Sequence, residues 1–198
     1  MSTQSRKERE RAERHQLILT AARELAEAEG WDAVTIRRLA DRIEYSQPVL
    51  YSHFPSKKVI VRVVAIHGYA ELAAELRDAR LAGGTPREAI ARLAAAYLHF
   101  ASSRPALYEA MFIMPIDVRF ASEQTPAPVR AGFGELAAAL EPLAGGRDLD
   151  TYAEVVWSAL HGLATLSRDQ RLPPERQQAR LDLLIEQLTA PVSLEARD

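Results

Sequence analysis

The sequence contains no cysteine. That absence alone removes disulfides, thiolate-bound zinc and thiol nucleophiles from consideration. Long apolar runs are missing too: nothing approaches the roughly 20 residues needed to cross a bilayer, so no membrane partner is expected. The start, MSTQSRKERERAERH, lacks the apolar centre of a secretory signal, and a cytoplasmic location is the expectation. The five histidines show no metal-ligand spacing, so neither a metal site nor a cofactor is expected. Paired carboxylates, Ser/His/Asp arrangements and phosphate-binding glycine loops are absent as well, which argues against an enzyme. Alternating strand patterns do not occur. What remains is a chain of 198 residues, 47% hydrophobic and 26% charged, ordinary values for a globular protein.

The charges are not evenly spread. Residues 1–60 hold 11 Lys/Arg against 9 Asp/Glu, a net +2, whereas residues 61–198 hold 14 against 18, a net −4. The two halves sum to the overall −2. A modestly basic front and an acidic remainder suggest two jobs.

Alanine, leucine, glutamate and arginine dominate, and apolar residues recur at three-to-four spacing, so the fold class is all-α with about nine helices. The first runs from about Glu8 to Glu29, with Leu17, Ala21, Leu25 and Ala28 on one stripe and Gly30 as its stop. Thr35 is a good N-cap for a second, carrying Ile36, Leu39, Ala40 and Ile43. A third covers YSQPVLYSHF, and a long fourth from about Ser56 carries Val59, Val63, Ile66, Tyr69, Ala70 and Leu76. Thr85-Pro86-Arg87-Glu88 restarts the chain after Gly83-Gly84 with a capping box and a first-turn proline. Helices over about 86–102, 105–114, 128–143, 149–167 and 174–188 complete the chain. A long loop falls at 115–127, and a frayed tail follows Pro191.

The third segment is short and polar, and its physics is informative. Ser46 can cap it, and Pro48 falls in the first turn, where a missing N–H costs nothing. Leu50 and Phe54 share one face and can anchor it on Leu39, Ile43 and the first helix. Pro48, Val49, Tyr51 and Ser52 then point away, with Gln47 and His53 at the borders. That surface suits a major groove: Gln47 for base edges, Pro48 and Val49 for a thymine methyl, Tyr51 and His53 for phosphates. On periodicity alone, a DNA-reading helix-turn-helix and a plain helical hairpin whose aromatics cap the core stand about level.

The run TIRRLADRIEYSQPVLYSHFPSKKVI resembles the DNA-binding signature of the tetracycline-repressor family of bacterial transcriptional regulators. Thr35, Arg37, Leu39, Ala40, Ser46, Leu50, Tyr51, His53, Phe54 and Lys57 carry the match, and the resemblance spans about residues 10–65. It implies that Thr35 and Lys57 clamp phosphates and that Arg37 reads a guanine in some members. It implies further that Gln47, Pro48 and Val49 read bases, while Tyr51 and His53 contact phosphates with Ser52 beside them. Arg38, Arg42 and Lys58 read as solvated surface charge. The turn departs from the family's Ala-Gly-Val: Ile43-Glu44-Tyr45 puts glutamate where glycine holds a left-handed conformation, so a remodelled or strained turn is expected. The basic segment Arg6–Arg14, interleaved with glutamates, reads as a solvated helix end with a weak phosphate contribution.

In TYAEVVWSALHGLATL, residues 151–166, only Glu154 is charged, so this helix must be covered on more than one side. The last helix carries one stripe, Leu181, Leu184, Ile185 and Leu188. Together they suit an isologous homodimer, with Leu160, Leu163, Leu181, Leu184, Ile185 and Leu188 as the expected interface, and the family resemblance implies the same. Trp157-x-x-x-His161-Gly162, with RPALYEAMF at 104–112, resembles one large subgroup of the family's C-terminal domains. His161 reads either as a ligand contact or, the ordinary case, as a core histidine bonded to a carbonyl; Gly162 allows close helix crossing. Tyr97, Phe100, Tyr108, Met111, Phe112, Phe133, Trp157 and His161 are the expected lining of a mostly apolar effector pocket, with Met114 nearby. The expected organisation is a helix-turn-helix DNA-binding domain at 1–57 and an effector-binding and dimerisation domain at 58–198. The expected function is a ligand-responsive repressor, bound as a homodimer to a palindromic double-stranded DNA operator and released by a small-molecule effector. A DNA-binding protein without a ligand, and an all-α enzyme without a familiar motif, are the alternatives.

Overall fold

The computed structural model describes residues 3–119 and 122–190. Among these residues every regular element is helical, and the expected loosening after Pro191 lies outside them. Nine α-helices follow in order: α1 Thr3–Glu29, α2 Ile36–Arg42, α3 Gln47–His53, α4 Lys57–Leu81, α5 Pro86–Ser103, α6 Pro105–Phe112, α7 Ala127–Leu140, α8 Leu149–Arg168 and α9 Gln177–Thr189. Single 3-10 turns stand at Trp31–Ala33, Glu141–Leu143 and Pro174–Arg176.

The chain forms two compact units. The first comprises residues 1–68 and 104–124, and the second 69–103 and 125–198. The first unit therefore takes in α6 and the start of α4 as well as α1 to α3. In it α1 packs against α2 and α6, so its buried sector is wide. Ile18, Leu19, Ala21, Ala22, Leu25 and Ala26 are buried, while Leu17 is 42% exposed and Ala28 is exposed. The stripe drawn through Leu17 and Ala28 thus traces the edge of the buried sector rather than its centre. A similar offset occurs on α4, where Ile60, Val61, Val64 and Ala65 are buried and Val59, Val63 and Ile66 only half so.

Three hydrogen bonds, buried or part-buried, fix α6 to α1 and the 3-10 turn after it. The Glu27 carboxylate accepts from the backbone N–H groups of Ala106 and Leu107, each at 3.0 Å. These are donors of the first turn of α6, which has no cap of its own from Arg104. The Trp31 indole N–H donates to the Ala106 carbonyl at 2.7 Å.

In the second unit α5 packs against α7, α8 and α9. The capping box forms as the sequence suggests: Thr85 Oγ1 accepts from Glu88 N at 3.3 Å, and Glu88 returns by accepting from Thr85 N at 2.7 Å. Ile90, Leu93, Ala94, Tyr97, Phe100, Leu140, Ala153, Val156 and Leu160 make the core. An Arg80–Glu135 ion pair joins the end of α4 to α7, and the Tyr152 hydroxyl donates to the Leu188 carbonyl of α9 at 2.9 Å.

Candidate nucleic-acid interface

The turn before α3 closes as a helix-ending motif. Ile43 N–H reaches the Leu39 carbonyl at 3.1 Å, and Tyr45 N–H reaches back to Ala40 at 3.0 Å. That second bond requires Glu44 to be left-handed, and its φ is 58. The expected strain is therefore present: a glutamate does what glycine does without a Cβ clash. The turn geometry itself is an ordinary one.

Ser46 takes the N-cap conformation, φ −79 and ψ 150, and its carbonyl accepts from Val49 and Leu50 N–H. Its hydroxyl makes no capping bond, so it is exposed and not spent on the helix. Thr35 differs, since its hydroxyl accepts from Arg38 N at 3.2 Å. Leu50 is 0% exposed and Phe54 1%, and these two hold α3 down. Gln47, Pro48, Tyr51 and Ser52 are left exposed, Tyr51 at 51%, with Val49 half-buried. The Ser52 hydroxyl donates to the Val49 carbonyl at 2.7 Å.

The arginines of α2 have separate fates. Arg38 forms a two-pronged pair with Glu29, both contacts 2.8 Å, and Arg42 pairs with Glu24 at 3.0 Å. Both fasten α2 to α1. Arg37 is exposed and joins no ion pair among the described residues. Lys58 pairs with Asp117 at 2.9 Å. The Lys57 ammonium donates to the Trp31 carbonyl at 2.5 Å, so its stem ties the start of α4 to the turn after α1. Two further protons stay available for an anion.

His53 is half-buried. Its Nδ1 is sealed from solvent without a partner among the described residues, and so is Arg14 Nε. Burial first, then the positive charges of Arg11 and Arg14 and neighbouring His15, hold His53 below the ordinary imidazole value. His15 stacks on Phe54 with centroids 4.3 Å apart and lies 6.2 Å from His53. Burial also lowers the His15 value, helped by His67 and Arg11. The sequence reading gave Arg11 and Arg14 only a weak phosphate contribution and did not join them to His15 and His53. The signal was available: Arg11 and His15 prolong the buried Ile18–Ala22–Leu25 face one turn toward the N-terminus, and Arg14 flanks them. Crowded positive groups with lowered basicity are what an approaching phosphate relieves.

The expected pocket residues divide between the two units. Tyr108, Met111 and Phe112 lie in the first, where the Tyr108 and Phe112 rings are 4.7 Å apart. Tyr97, Phe100, Phe133, Trp157 and His161 lie in the second, with Trp157 and His161 rings 5.9 Å apart. Tyr97, Phe100, Tyr108 and Met111 are buried; Phe112, Phe133, Trp157 and His161 are half-buried. Burial first, then Arg168, lowers the His161 value.

The expected interface residues behave unevenly. Leu160, Leu181 and Ile185 are taken up by the core of their own unit, while Leu163, Leu184 and Leu188 are half-buried. Three core leucine-type side chains sealed this way have no surface to offer a partner, because α5 already occupies that side of α8 and α9. The open apolar positions are Val155 at 61%, Leu166 at 39% and Leu183 at 56%. Val155, Ala159, Gly162 and Leu166 share one face of α8. A Cβ placed on Gly162 meets nothing within 4 Å.

Residues 18–64 match the model of the tetR family of bacterial regulatory proteins, and residues 90–188 that of the tetracyclin repressor-like C-terminal domain. An uncharacterised helix-turn-helix transcriptional regulator of Mycobacterium tuberculosis, Rv0681, is 30% identical over 75% of this chain and 67% of its own length. The helix-turn-helix transcriptional repressor KstR of Mycolicibacterium smegmatis is 32% identical over 50% of this chain and 48% of its own. A solved structure of a Rhodococcus sp. RHA1 protein of unknown function superposes with a TM-score of 0.73 at 25% identity, covering 89% of this chain and 95% of that one.

Proposed function

Since the chain belongs to the tetR family of bacterial regulatory proteins, we propose that it is a ligand-responsive transcriptional repressor acting as a homodimer on a palindromic operator. The observation that carries this reading is the surface of α3. Leu50 and Phe54 hold a seven-residue helix whose other side chains, Gln47, Pro48, Val49, Tyr51 and Ser52, serve no packing role of comparable weight. In this reading Gln47, Pro48 and Val49 meet base edges. Thr35, Ser46, Tyr51, Ser52, His53 and Lys57 position the helix on phosphates, Arg37 adds a groove contact, and Arg14 joins the phosphate set. Residues 1–57 are the reading domain and 58–198 the effector-binding and dimerisation domain.

One short helix discriminates poorly, and two held a helical turn apart read a palindrome. The stripe Val155, Ala159, Gly162 and Leu166, with Leu183 of α9, supplies an apolar face for a second copy, flanked by Leu163, Leu184 and Leu188. Trp157-x-x-x-His161-Gly162 resembles the motif of one large subgroup of the family's C-terminal domains. A small, mostly apolar effector binds within the second unit, among Tyr97, Phe100, Phe133, Trp157 and His161, and favours the form that cannot bind DNA. Coupling of ~1–3 kcal/mol between the two sites is enough to release the operator.

Gel-shift titration on the DNA flanking the protein's own gene tests the whole reading. A sequence-specific shift that a small molecule reverses is the expected result. Failure to discriminate that DNA from random duplex would sink the regulator; a specific shift that no effector changes would leave a DNA-binding protein without a ligand.

A further inference from the structure

Buried polar side-chain atoms without a partner among the described residues fall into two groups. Arg14 Nε and His53 Nδ1 belong to the patch beside α3. The others, Thr165 Oγ1 and Arg168 Nη1, lie three residues apart at the end of α8. A sealed hydroxyl and a sealed guanidinium nitrogen each forfeit a hydrogen bond that water supplied in the unfolded chain. Such pairs call for an acceptor.

Their setting narrows what that acceptor is. Trp157, His161, Thr165 and Arg168 recur at intervals of four, four and three, so they line one half-buried flank of α8. This flank is separate from the open stripe through Val155 and Leu166. The Trp157 and His161 rings lie 5.9 Å apart, tilted at 38°, and along this flank they lead to the Thr165 hydroxyl and then to the guanidinium. Arg168 also depresses the basicity of His161, so its charge is felt along the flank.

An arginine in the last turn of a helix ordinarily neutralises the helix end by binding its carbonyls or by staying hydrated. Arg168 does neither with Nη1, which is closed to solvent and has no partner among the described residues. Its one ion-pair contact is Nε to Asp169 Oδ1 at 3.4 Å, a long contact on the opposite edge of the group. Nor do backbone N–H groups help at this end of a helix. The site is a side-chain site for one acceptor-rich, negatively charged group.

We propose that the effector carries a carboxylate, held by Arg168 Nη1 and Thr165 Oγ1, with its apolar body along His161 and Trp157. This deepens the ligand-responsive reading above and rests on it. Arg168 supplies the charge, Thr165 a neutral donor that sets the orientation, and the aromatic pair the apolar contact. The anchor selects acids over alcohols of the same skeleton, because an alcohol carries no charge to answer the solvent-shielded edge of the guanidinium.

The test is calorimetric titration of the full chain with octanoate and 3-phenylpropionate against 1-octanol and 3-phenyl-1-propanol. At least one acid binds about tenfold or more tightly than its alcohol, the scale of one charge-assisted hydrogen bond. Arg168→Gln erases that preference, Arg168→Lys keeps part of it, and Thr165→Val weakens the acid several-fold; circular dichroism checks that each variant folds. Should Arg168→Gln not fold, the preference of the unmodified chain and the Thr165→Val loss decide. Equal affinity for acid and alcohol overturns the proposal, as does a preference that survives Arg168→Gln, or no binding by any of the four. Release from the operator by a neutral compound alone sinks the carboxylate anchor and leaves the repressor standing. Acid binding without effect on operator affinity upholds the anchor and sinks the ligand-responsive reading.

Discussion

Glu44 stands at φ 58 between α2 and α3, in a conformation that costs a residue with a Cβ on the order of 1 kcal/mol. Replacing it with glycine removes the clash and changes no side-chain contact of the reading face. Glu44→Gly should raise stability by about 0.5–1 kcal/mol, or ~1–4 °C in melting temperature for a chain of this size, read by calorimetry. The proposed reading gives Gln47 and Tyr51 different tasks. Gln47→Ala should flatten the preference for operator over scrambled duplex, whereas Tyr51→Phe should weaken both by a similar factor; equal losses of specificity would contradict the assignment. His53 and His15 sit below their ordinary value near 6.5, through burial and the charges of Arg11, Arg14 and His67. A histidine lowered in the folded state binds fewer protons there, so stability is full above the unfolded value and declines as pH falls through it. DNA acts in the opposite sense, since phosphates favour the imidazolium. Operator affinity should therefore rise as pH is lowered from about 7.5 to 6, and His53→Gln should reduce that slope in gel-shift titrations.

Helix α6 shows how one element depends on another. Its first-turn donors are satisfied from α1 by Glu27 rather than by a residue at its own start, so α1 and α6 order each other. Glu27→Ala should cost about 1–2 kcal/mol in chemical denaturation, as lost helix caps do. On the other side of α6, a Cβ at Gly68 of α4 would stand 2.6 Å from Met111 Sδ and 2.8 Å from Leu107 Cδ1. Gly68→Ala should thus destabilise by overpacking, about 1–3 kcal/mol. None of this was readable beforehand, since Glu27 looks like any helical glutamate and Gly68 like a weak point in a long helix. The helices themselves were legible, because period, caps and breakers are local: Thr35, Ser46 and the Thr85–Glu88 box all start helices where expected. Which face each helix buries was less so. The α1 sector is set jointly by α2 and α6, and no single-helix pattern contains that information.

For the molecule as a whole, two-fold symmetry is the requirement of the proposed operator. Placing a charge on the open face of α8 should break it: Val155→Arg should yield monomers in light scattering and lower operator affinity at least tenfold, without a comparable loss of thermal stability. Leu160→Ala should do the reverse, destabilising the fold by about 2–5 kcal/mol through a core cavity. The strongest hydrophobic stripes of α8 and α9 belong to the intramolecular core, and the apolar face of α8 that stays open runs through Val155, Ala159, Gly162 and Leu166. The sequence alone determined the all-α class, the helix-turn-helix and the exposed face of α3. Helix period, capping and the Leu50–Phe54 spacing are short-range properties, written within a few residues of where they act. Only the tertiary structure decided which apolar stripes stay open, which arginines are spent on Glu24 and Glu29, and which polar atoms of Arg14, His53, Thr165 and Arg168 go unanswered. Those outcomes depend on burial, which is a sum over neighbours far apart in the chain.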